Sequence, residues 1–111
     1  MVNVGHAKLH AGEYVGRPGS PLGNPASHRP SAYATVAVNT VEEALSWYES
    51  WLDACLLDLS SPQSLELKRL CALEAEKGNV TLLCWCSRTL RCASLPPRCH
   101  ADIIASRMHK A

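Results

Sequence analysis

The chain has 111 residues, a formal net charge of +1 and a hydrophobic fraction of 47%. That length suits one domain, residues 1–111, with a core of its own. The near-neutral balance of Lys and Arg against Asp and Glu gives no footprint for nucleic acid, and no apolar run approaches the roughly 18 residues of a membrane-spanning helix.

Residues 1–10 lack the apolar stretch of a secretory signal. A reducing cytoplasm is therefore the expected setting, and the six cysteines read as thiols or metal ligands rather than disulfides. Val2-Asn3-Val4 alternates apolar and polar, as a short strand does. Glu13-Tyr14-Val15-Gly16 reads as a second strand. Residues 17–25 then hold three prolines and two glycines, which forbids regular structure and makes a stiff, turn-rich loop. The irregular stretch extends over residues 27–31, and Thr35-Val36-Ala37-Val38 is β-capable.

Thr40-Val41-Glu42-Glu43 has the form of a capping box. Val41, Ala44, Leu45, Tyr48, Trp51, Leu52 and Cys55 follow at helical spacing, which predicts a helix over about 41–57. Ser61-Pro62 predicts the next helix start, with Ser as cap and Pro at the first position. Leu67, Leu70, Cys71 and Glu74 share one stripe, and Gly78 is the expected stop. Residues 80–86, Val-Thr-Leu-Leu-Cys-Trp-Cys, read as a buried strand. A loop over 87–98 leads to a last helix opening at Cys99 or His100. The order predicts an α/β (α+β) chain: a small mixed sheet packed with about three helices.

Two groups of residues carry chemistry. Cys84 and Cys86 would share one face of a strand, with Trp85 on the other. Cys99-His100 would open a helix, where dipole and free amides favour a thiolate. Three uses of this cluster stand open. Cys84, Cys86, Cys99 and His100 are candidate ligands of zinc or iron, although the C-x-C spacing is tighter than usual zinc patterns. Cys84 or Cys99 is a candidate nucleophile with His100 as its base. The cysteines also pack well as small hydrophobes, the expected role of Cys55 and Cys71. Asp102, early in the last helix, is placed to orient His100 or Arg98, or to face the helix dipole.

The second group is the Gly/Pro loop. It is neither a Walker A sequence nor G-x-G-x-x-G. A rigid loop that presents amides beside an arginine suits anion capture, with Arg17 and Gly23 holding the anion and Asn24 orienting the ligand. The alternative is a structural turn in which Arg17 is tied to a carboxylate and Asn24 to its own backbone. His6, His10, His28 and His109 are isolated and expected to face solvent. Trp47 and Trp51, four apart, favour packing over a partner surface.

Val2-Asn3, Tyr14-Val15-Gly16-Arg17-Pro18, Gly23-Asn24-Pro25, Glu42-Glu43-Ala44-Leu45, Tyr48, Trp51-Leu52, Cys84-Trp85-Cys86, Cys99-His100 and Asp102-Ile103-Ile104 together resemble a small uncharacterised domain family of bacteria, archaea and phages. The resemblance runs nearly end to end. It departs at Ala26, where relatives carry an aromatic, and in a longer loop that brings Cys92. It implies that the Gly/Pro loop and the Cys/His pair belong to one recurrent unit, and it suggests a phage source.

The expected function is a small pocket protein that binds, and in one version modifies, a nucleotide-like anionic ligand. The alternative is a non-catalytic interaction protein with a structural Cys/His site or a plain thiol-rich core. No membrane is expected as a partner; a protein is a candidate partner under the alternative reading.

Overall fold

The computed structural model describes residues 1–17, 19–27, 35–86 and 88–108. Pro18, His28 and His109, singled out above, lie outside these residues. The elements run in chain order as β1 (Val2–His6), β2 (Glu13–Tyr14), β3 (Ala26–Ser27), β4 (Val36–Ala37), α1 (Val41–Leu56), α2 (Pro62–Lys77), β5 (Val80–Cys84), β6 (Arg91–Cys92) and α3 (His100–Met108). A mixed four-stranded sheet has the order β2-β5-β1-β6, and β3 pairs with β4 in a small second sheet. With three helices this is an α+β fold, as the sequence pattern implies.

The two central strands, β1 and β5, are parallel and in register from Val2 opposite Val80 to His6 opposite Cys84. Both are buried at all but one position, the pattern of strands covered on two faces. Tyr48 and Leu52 of α1, Leu67 and Leu70 of α2, and Ile103 and Ile104 of α3 pack on Val4 and Leu82 in one core. Burying each such aliphatic side chain contributes roughly 1.5–3 kcal/mol.

The helix ends follow their local chemistry. The Thr40 hydroxyl accepts the Glu43 amide at 3.1 Å, and the Ser61 hydroxyl accepts the Ser64 amide at 3.1 Å. Pro62 stands in the first turn of α2, and Gly78 ends that helix at φ 81°. A left-handed backbone of this kind suits a residue without Cβ.

Three expectations shift. The strand predicted over 80–86 ends at Cys84, and Trp85 and Cys86 bend out of it. The loop predicted over 87–98 contains β6, which pairs antiparallel with β1 through Asn3 and Val4. β3 arises from Ala26–Ser27, inside a stretch that reads as irregular, and pairs with the expected strand at Val36–Ala37.

Candidate functional site

The carboxyl ends of β1, β2 and β5 point to one edge of the molecule, the place where open α/β sheets gather ligand-binding loops. Cys84 closes β5 there. Its side chain is buried, and its sulfur lies 3.7 Å from the sulfur of Cys99, which is also buried. Cys86 is exposed at the surface, and the neighbouring Cys84 thiol is the first cause that pushes its own thiol up. Three thiols therefore converge although one of them has left the strand.

Their titration is shared. Contact with the Cys84 sulfur, followed by burial, pushes the Cys99 thiol well above the ordinary cysteine range. Contact with Cys84 is also the first cause that raises Cys86, against the opposing pull of the Arg17 and Arg91 guanidiniums. Neighbouring sulfurs do not ionise together in a low-dielectric site, so Cys86 and Cys99 hold their protons at neutral pH. The expectation of a thiolate at Cys99, drawn from its place at a helix start, meets a second sulfur that reverses the sign.

Asp102 anchors the other wall. Its buried carboxylate takes both prongs of Arg91, at 2.8 and 2.9 Å. It also accepts the backbone amides of Ser94, Arg98 and Cys99. The last is the reach-back half of a capping box at the start of α3. Burial alone would raise this carboxyl. Arg91 and the amides of Arg98 and Ser94 outweigh it and hold Asp102 below the usual carboxylate range. Asp102 thus binds the backbone of Arg98, not its guanidinium, and its charge partner is Arg91. A guanidinium nitrogen of Arg91 lies 3.7 Å from the Cys99 sulfur.

The Gly/Pro loop is held to this edge by the residues that resemble family motifs. The Trp85 indole donates to the Tyr14 hydroxyl at 2.8 Å and to the Arg17 carbonyl at 3.2 Å. Tyr14 also donates to the Arg17 carbonyl. His100 is buried, with Nε2 2.8 Å from the Val15 carbonyl and its ring edge-on to Tyr48. A carbonyl only accepts, so Nε2 carries the proton. Burial lowers the His100 pKa below the ordinary histidine value, with the Val15 carbonyl opposing. Tyr48 donates to the Leu22 carbonyl at 2.7 Å.

The expected ligand-gripping residues of the loop have local partners. Arg17 donates to the carbonyls of Asn24 and Ala26. Asn24 is buried; it donates to the Ala44 carbonyl of α1 and accepts the Ala26 amide at 2.9 Å. A Cβ on Gly23 would stand 2.9 Å from the Gly16 carbonyl oxygen, so glycine is needed for this close approach. The partners of Arg17 are thus backbone carbonyls, where the structural-turn alternative named a carboxylate.

The histidine expectation fails at His6. It is buried, edge-on to Trp85 with ring centroids 5.6 Å apart, and its backbone amide donates to Nδ1 of His10 at 2.9 Å. Trp47 stacks on Trp51 at 6.0 Å. Cys71 packs against the core.

An open cleft of about 230 Å³ lies over the thiols, lined by Cys86, Arg88, Thr89, Arg91, Arg98 and Cys99. Arg88 and Arg98 are exposed and enter no ion pair among the described residues. Also among the described residues, no group of three or more His, Cys, Asp or Glu side chains is disposed to hold a metal ion. Sequence reasoning names Arg88, Arg91 and Arg98 only as loop residues. The available signal was their crowding between Cys86 and Cys99 in a chain whose other charges are scattered. No helix of the described residues is long and apolar enough to cross a membrane.

No curated protein and no solved structure matches the chain. A family model described as a domain of unknown function, DUF4326, matches residues 2–110. Nearly the whole length is covered, from β1 through α3, and the chain belongs to the DUF4326 family.

Proposed function

We propose that this protein binds a small anionic ligand in the arginine-lined cleft, with phosphate-bearing, nucleotide-like molecules as the ligand class. One observation carries the reading. Three arginines, Arg88, Arg91 and Arg98, line a single opening, and Asp102 is the carboxylate paired with one of them. Guanidiniums are donors only, with a planar fork that matches phosphate and carboxylate oxygens.

The size of the opening narrows the class. About 230 Å³ is below the roughly 300–1,000 Å³ of pockets that enclose a drug-sized ligand. A phosphate or pyrophosphate group is the part to be seated. The remainder of a nucleotide would lie on the open face beside Cys86 and Thr89. Two charge-assisted contacts of about 1.5–3 kcal/mol each correspond to dissociation constants around the millimolar range.

In this reading the Gly/Pro loop shapes the site. Arg17 and Asn24 hold the loop closed, Gly23 permits its close approach, and His100 ties α3 to Val15. The test is thermal unfolding with phosphate, pyrophosphate and nucleoside phosphates at matched ionic strength. Ligand at about ten times its dissociation constant should stabilise the fold by roughly 1.4 kcal/mol. Unchanged melting with every anion in the panel would overturn the proposal.

A further inference from the structure

We propose that Cys86, Cys84 and Cys99 form a thiol relay that exchanges with a small anionic disulfide, of the class of oxidised glutathione, and stores the oxidising equivalents as a buried Cys84–Cys99 disulfide. The choice of an anionic substrate rests on the anion-binding reading of the cleft; the relay itself rests on the arrangement of the sulfurs.

Three observations support it. Cys84 and Cys99 are buried with sulfurs 3.7 Å apart, so closure to the roughly 2.05 Å of a disulfide needs a small side-chain movement. Cys84 is fully buried, and Cys99 lines the cleft with only 3% of its surface exposed; thiol–disulfide exchange depends on access. Cys86 is exposed and lines the cleft, two residues after Cys84 in the chain, and the Cys84 thiol is what chiefly perturbs it. It is the exposed member of the three thiols, beside two buried ones. The guanidiniums that line the same cleft match the carboxylates of such a disulfide.

Cys86, protonated at neutral pH, passes its proton to water and as the thiolate attacks one sulfur of the ligand disulfide, so the exchange quickens as pH rises. The ligand S–S bond breaks, a Cys86–ligand bond forms, and the first ligand thiolate leaves and takes a proton. Cys84 then attacks the Cys86 sulfur, giving its proton to the second departing ligand thiolate. Cys99 attacks Cys84, the Cys84–Cys86 bond breaks, and Cys86 regains a thiol. In sum, two protein thiols lose two electrons and two protons, and one disulfide becomes two thiols.

The test follows reduced full-length protein with oxidised glutathione and, in parallel, cystamine, a cationic disulfide. Intact mass and peptide mapping read the products. Wild type should gain a Cys84–Cys99 disulfide, faster at higher pH. Cys86→Ser, at an exposed position, should form it roughly tenfold more slowly or worse, because access is lost. Absence of the internal disulfide in wild type, or its formation at an undiminished rate in Cys86→Ser, would overturn the relay. Glutathione disulfide should also react faster than cystamine, with the preference lost in Arg88→Ala/Arg98→Ala. Equal rates would remove the anion reading and leave the relay standing. Phosphate binding without disulfide formation would do the reverse.

Discussion

Arg91 and Asp102 form a two-pronged ion pair, at 2.8 and 2.9 Å, with the carboxylate fully buried. This pair joins β6 to the first turn of α3 and fixes the wall that carries Cys99. Removing one member leaves the other charge uncompensated, which costs about 3–5 kcal/mol in a buried pair. Asp102→Ala should lower unfolding stability in urea by that amount. A loss below about 1 kcal/mol would show that the pair does not hold the wall.

Acid should destabilise the fold in two stages, and the signs follow from the two lowered pKa values. His100 is neutral and buried, while an unfolded histidine takes up a proton near pH 6.5. The unfolded chain therefore binds more protons as pH falls below that value, and stability declines. Asp102 is also held below its ordinary range, so a second loss begins near pH 4 as the unfolded carboxyl protonates. His100→Gln should remove the first stage and leave the second. An unchanged profile between pH 7 and 5 in that variant would contradict the assignment.

Tyr48 should matter through its hydroxyl as well as its ring. It is fully buried and bonds the Leu22 carbonyl, linking α1 to the Gly/Pro loop. Tyr48→Phe keeps the packing and strands that carbonyl, a change of about 1–3 kcal/mol. Equilibrium denaturation reads it directly, and a neutral result would mean that the loop relaxes without cost.

Arg88→Ala and Arg98→Ala should separate binding from folding. Both side chains are exposed and outside the ion pairs of the described residues, so stability should move by less than about 0.5 kcal/mol. Phosphate affinity should fall roughly tenfold in the double variant, from the loss of charge-assisted contacts. Calorimetric titration measures both variants against wild type.

Much of the scaffold was legible because local chemistry and hydrophobic period agree. Thr40 and Ser61 cap helices, Gly78 stops one, and the stripe through Ala44, Tyr48 and Leu52 faces the core. β6 was hidden because two residues, Arg91 and Cys92, have no period to read. Their pairing is decided by β1, almost ninety residues earlier in the chain. The same non-local contact hid the arginine cleft. Nothing near Arg91 in sequence announces that it will face Asp102, and nothing near Cys84 announces Cys99. His6 misled for a related reason: it reads as isolated, yet its strand register sets it opposite Cys84 and under Trp85.

In the proposed function the cleft over the thiol cluster receives an anion. A phosphate titration followed by NMR of backbone amides and arginine Nε–H groups tests it most directly. Saturable shifts are expected to concentrate at Arg88, Arg91, Arg98 and Cys99, with small changes at Arg17 and Asn24. Shifts confined to the Gly/Pro loop, or the same weak drift across the whole surface, would contradict it.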